Sequence, residues 1–133
     1  MKSIILLLLL PLTGCTVVDA YLMAKFDSNE YQLINQIKST AEANVQNCAD
    51  RERMNTVAQY LFLKGVEFKN YTAHIPHNEK ASVLSAEIFK ELEGLNKRYA
   101  DPKKISETYC KTKLVTIEDS ANTIQEVIGD KPR

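Results

Sequence analysis

Apolar residues recur at intervals of three and four along four stretches of the chain, the spacing that gathers side chains on one face of an α-helix. The first stretch opens near Asp27 or Ser28, where Glu30 follows Asp27 by three positions as in a capping box. It aligns Ile34, Ile37, Ala41, Val45 and Cys48 and ends near Asn47. The second begins after Asp50, carries Met54, Val57, Leu61, Gly65, Phe68, Thr72 and Ile75, and is broken by Pro76. The third starts at about Asn78 and sets Ala81, Leu84, Ile88, Leu92, Leu95 and Tyr99 on one stripe, with Gly94 a mild interruption. Asp101 and Pro102 read as an N-cap followed by proline at the first helical position. They predict a fourth helix that aligns Ile105, Cys110, Leu114, Ile117, Ala121, Ile124 and Ile128 and terminates at Gly129.

No stretch alternates in the period of a strand, and no Asn-Gly hairpin signal or regular glycine punctuation occurs, so the expected class is all-α. Short connections between successive helices make them run antiparallel, which predicts an up-down-up-down four-helix bundle. The cysteines bear on that topology separately. With the fourth helix antiparallel beside the first, Asn29 lies level with Ile128, and counting up each helix brings Cys48 level with Tyr109 and Cys110. A Cys48–Cys110 disulfide is therefore expected, if the chain meets an oxidising compartment.

Composition narrows the class without changing it. Of 133 residues, 44% are apolar and 26% charged, with only 4 Gly and 4 Pro, which fits a core-forming helical chain of one domain. Seventeen Lys and Arg balance 17 Asp and Glu, so no basic field exists to hold nucleic acid.

The front of the chain differs from the rest. Lys2 precedes an unbroken apolar run, Ile4 to Leu10, which is too short to span a bilayer and has the plan of a secretory signal. Directly behind it, Leu12-Thr13-Gly14-Cys15 resembles the lipobox of bacterial lipoproteins. That resemblance implies a diacylglyceryl thioether on Cys15, cleavage between Gly14 and Cys15, and acylation of the new amine. In that family an Asp after the cysteine retains the protein in the inner membrane. Thr16 stands here instead, which implies the outer membrane, facing the periplasm, in a Gram-negative host. The chain thus divides into a signal peptide, 1–14, a lipidated cysteine and short tether, 15–27, and a helical domain, 28–133. Within the tether, Val17, Val18, Tyr21, Leu22 and Phe26 are spaced as in a short amphipathic helix at the lipid interface, or else the segment packs on the domain or extends its first helix. Phe68-Lys69-Asn70-Tyr71 and the terminal run Thr123 to Arg133 look like segments of small lipoproteins of bacteria and tailed phages.

Candidate chemistry is sparse. His74 and His77 stand three apart in the turn at Pro76 and offer two imidazoles to Zn²⁺ or Cu²⁺, with Glu67 and Glu79 the nearest candidates for a third ligand. Two ligands do not close a site, and the alternative is a solvated turn in which His77 helps cap the next helix. Glu67, Glu87, Glu91, Glu93, Glu107, Glu118 and Asp119 alternate with Lys64, Lys69, Lys90, Lys97 and Lys111 at helical spacing, as on a solvated face, and none is flanked for burial. No nucleophile-elbow or phosphate-loop glycines occur, so neither a catalytic residue nor a cofactor is assigned. Tyr60, Leu63 and Tyr71 lie beside the main stripe of the second helix and, with Tyr31, Phe62, Phe68 and Phe89, widen its apolar surface, either as core or as a partner face.

The expected function is a membrane-anchored, non-catalytic binding or scaffold module that recognises another envelope protein. A phage-encoded lysis factor of the spanin type, a superinfection-exclusion lipoprotein and a small metal-binding protein are the alternatives. The four capped helices fit poorly with the extended periplasmic segment usual in spanins.

Overall fold

The computed structural model describes residues 22–133. The signal peptide, the Gly14–Cys15 junction and the apolar positions Val17, Val18 and Tyr21 lie outside the described residues. Four helices make up the rest: α1 (Ser28–Asn44), α2 (Arg51–Ala73), α3 (Glu79–Ala100) and α4 (Glu107–Gly129). A single 3₁₀ turn, Val45–Asn47, prolongs α1 toward Cys48.

The helices form an up-down bundle in which α1 packs most closely on α4 and α2 most closely on α3. Its core is the set of predicted stripes: Ile34, Ile37 and Ala41 meet Met54, Leu61 and Phe68, Ile88, Leu92 and Leu95, and Leu114, Ile117, Ala121, Ile124 and Ile128. In α2 the stripe shifts by one position, because Ala58 rather than Val57 is fully buried. In α3, Ser85 is buried in place of Leu84 and folds its hydroxyl back to the Ser82 carbonyl at 2.7 Å. At the α1–α4 seam, Gln125 donates to Asn35 at 3.0 Å and Lys38 to Asn122 at 2.8 Å. Among the described residues no helix is long and apolar enough to cross a membrane.

The caps hold at two of the predicted starts and move at a third. Asp27 accepts from the amides of Asn29 and Glu30 at 2.8 and 3.0 Å, and Asp50 from that of Arg53 at 3.0 Å. The fourth helix, however, starts at Glu107, with the Ser106 hydroxyl accepting from the Tyr109 amide at 3.1 Å. Asp101 instead closes α3, and its side chain accepts from the Lys103 amide at 2.9 Å. The loop between them is held by Arg51, whose guanidinium donates to the carbonyls of Asp101 at 2.6 Å, Lys103 at 2.8 Å and Tyr99 at 3.4 Å. These bonds occupy the Asp101 and Lys103 carbonyls, which a helix begun at Pro102 would have used in its own ladder, so the Asp-Pro signal loses to Ser106. At the far end, Gly129 is the last residue of α4, yet it closes the helix without the left-handed backbone that would require glycine.

Beside this loop the Cys48 and Cys110 sulfurs are joined at 2.02 Å, with Cα atoms 5.7 Å apart. The disulfide ties the end of α1 to the first turn of α4 at the height the antiparallel count gives.

Candidate functional site

The opposite pole of the bundle is where polar residues go inside. The chain enters there as a strap, residues 22–27, which does not extend α1 because Asp27 caps that helix with extended backbone. Ala24 is buried and Phe26 packs against the core. The Ala24 amide donates to the His77 carbonyl at 3.0 Å and the Phe26 amide to the Pro132 carbonyl at 2.9 Å. The Arg133 guanidinium lies 5.1 Å above the Phe26 ring, which itself stands 5.8 Å from Tyr31. The strap is thus fastened on one side to the α2–α3 turn and on the other to the C-terminal tail.

Beneath it Glu30 is fully buried and does not reach back to the helix start as a capping box requires. Its carboxylate accepts from Lys131 and, at 2.7 Å, from the Asn78 side-chain amide, which also donates to the Thr72 carbonyl at 3.2 Å. Lys131 and Asn78 are themselves almost completely enclosed. One buried carboxylate therefore joins the first turn of α1, the turn before α3 and the residues after α4. Asp27 sits at the edge of this network. Burial pushes its carboxyl upward, but the amides of Glu30 and Asn29, the Tyr71 hydroxyl and the charge of Lys131 together hold it below the usual carboxylate range. Tyr71 donates to it at 3.0 Å. Tyr71 accordingly belongs to the core side of α2, apart from the exposed Tyr60 and Leu63 with which it was grouped by sequence.

The histidines lie at this same pole. A ring nitrogen of His74 is 2.7 Å from the Asn70 carbonyl. His77 adopts left-handed backbone, φ 58°, and engages the strap through its carbonyl, while α3 opens at Asn78 without a side-chain capping bond. Glu67 is exposed and paired with Lys64 at 2.7 Å, while Glu79 and His77 share the rim of a shallow pocket of about 360 Å³. Among the described residues no three His, Cys, Asp or Glu side chains gather in a metal-binding group.

Of the seven acidic residues weighed for acid-base work, Glu67, Glu93 and Glu107 are ion-paired on the surface, the last two with Lys97 at 3.1 Å and Lys111 at 3.4 Å. Glu91 is half-buried rather than fully solvated. It lies in a cleft of about 220 Å³ between α3 and α4 beside Glu87 and Ser120, and its Oε2 is enclosed without a hydrogen-bond partner. Desolvation holds its carboxyl above the usual range, and Lys113 and Ser120 offset only part of that effect.

The aromatic cluster divides as well. Phe62 and Phe89 pack 5.8 Å apart across α2 and α3, with the Lys69 ammonium 4.5 Å from the Phe89 centroid. Outside them Tyr60 is 40% and Leu63 64% exposed, leaving an apolar flank on α2.

Sequence reasoning missed Lys131, Asn78 and Arg51. Lys131 follows the end of a helix and Asn78 precedes one, so neither carries a periodic signal. No protein-family model, curated protein or solved structure matches this chain.

Proposed function

We propose that this chain is a lipid-anchored protein of the bacterial envelope whose helical bundle acts as a non-catalytic binding or scaffold module. The observation that carries the reading is Leu12-Thr13-Gly14-Cys15 set directly behind the apolar run Ile4 to Leu10. Each acyl methylene buried in a bilayer contributes ~0.8 kcal/mol, so two or three chains on Cys15 hold the protein to its membrane. Thr16 directs it to the outer membrane, with the bundle in the periplasm. The Cys48–Cys110 disulfide is compatible with that compartment.

Metabolic labelling with an alkynyl fatty acid, followed by membrane fractionation, tests the anchor. The wild type is expected to carry the label and to sediment with outer membranes, whereas Cys15→Ser loses both properties. Unlabelled wild-type protein in the soluble periplasmic fraction overturns the reading.

A further inference from the structure

The described chain begins at one pole and is fastened there, and this fixes which end of the bundle faces an anchor placed at Cys15. We infer that the pole formed by Leu22, Met23 and the Ile75–His77 turn rests on the lipid surface. The inference rests on the lipid-anchor reading and adds an orientation and a contact surface to it.

Three observations carry it. Only Thr16 to Tyr21 separate Cys15 from Leu22, so the two lie at most about 25 Å apart even with the chain fully extended. The backbone bonds of Ala24 and Phe26 hold the exit point of the tether at this pole rather than leaving it to swing along the bundle. At that point Leu22 and Met23 are 50% and 47% exposed, and the turn that receives the Ala24 amide carries exposed Pro76 beside half-buried Ile75, so the end where the tether leaves presents apolar side chains. The charged groups around them are mixed in sign: Lys80 stands against Glu79, Glu126 and Asp130 around the pocket that Met23 lines, Lys25 follows Met23 by two positions, and Arg133 lies over Phe26. The contact is therefore apolar in origin, seats on zwitterionic as well as anionic lipid, and is little affected by salt. The disulfide pole then stands away from the membrane by the length of the bundle, ~33 Å for the 22 residues of α3.

The test uses the full lipidated protein reconstituted in phosphatidylethanolamine–phosphatidylglycerol vesicles that carry a headgroup nitroxide quencher. A genetically encoded azide residue clicked to a fluorophore is placed at Met23, at Leu63 on the α2 flank or at Ser106 near the disulfide. Emission from position 23 is expected to be largely quenched, and from 63 and 106 nearly unquenched, in low and high salt alike. Leu22→Asn with Met23→Asn, and the fluorophore at Pro76, is expected to lose most of the quenching while still floating with the vesicles. Protein that floats with no quenching at 23, or with stronger quenching at 63, overturns the proposed orientation and leaves the anchor standing. Protein that does not float removes the anchor, and the orientation with it.

Discussion

Glu30 and Lys131 are 101 positions apart in sequence and share one enclosed ion pair, so each side chain depends on the other. Removing one partner leaves an uncompensated charge in the interior. Lys131→Met is therefore expected to lower the unfolding free energy by about 3–5 kcal/mol in urea titration. Replacing both, as Glu30→Met with Lys131→Met, is expected to recover most of that loss, because a well-packed apolar pair has no desolvation cost to offset. Asp27 and Glu91 make opposite contributions to pH dependence. Asp27 is held below its ordinary value of 3.8, so its contribution is fully present above that pH and lost as pH falls through the lowered value. Thermal melts of Asp27→Asn, which keeps a capping side chain, should differ from wild type near neutrality and converge with it well below pH 4. Glu91 is held above its ordinary value of 4.5, so it opposes folding when ionised and ceases to do so once pH falls below that value. Glu91→Gln should raise the melting temperature at pH 7, with the gain vanishing below about pH 4.5.

Among the elements, the α2–α3 pair depends on a glycine at close approach. A methyl group on Gly65 would stand 2.7 Å from the Leu92 Cδ1, and Leu92 is fully buried and has little room to yield. Gly94, on an outer face of α3, has no neighbour within 4 Å of such a methyl. Gly94→Ala is therefore expected to stabilise by about 0.5–1 kcal/mol through backbone entropy. At Gly65 the same gain is outweighed by overpacking, for a net loss of about 1 kcal/mol, and paired chemical denaturation curves read the difference in sign. The helices were legible because their stripes, Ile34 to Ala41 and Leu114 to Ile128 above all, obey one period over several turns. The α4 start was misplaced because Asp101-Pro102 and Ser106 are both valid signals, and the choice between them is made by Arg51 from a different helix. Glu30 was assigned to a cap for the same reason: its position relative to Asp27 is local, while the lysine that claims it is contributed by the last residues of the chain.

For the molecule as a whole, the predicted bundle and its Cys48–Cys110 bridge are present, and the level count between α1 and α4 identified the bridge because a helix rise is the same everywhere. The polar pole was not legible, since it is assembled from a strap, a turn and a tail that have no periodicity. Replacing both bridged cysteines with Ala reopens a loop of sequence separation 62, and the variant should lose roughly 4 kcal/mol of stability with far-UV circular dichroism unchanged. The fastening of the strap has a mechanical meaning. A pull on the chain at Leu22, with the bundle held elsewhere, loads the amide bonds of Ala24 and Phe26 before it reaches the first turn of α1. Two backbone bonds fasten the strap while the helices share a continuous core, so the strap is expected to peel before any helix unravels.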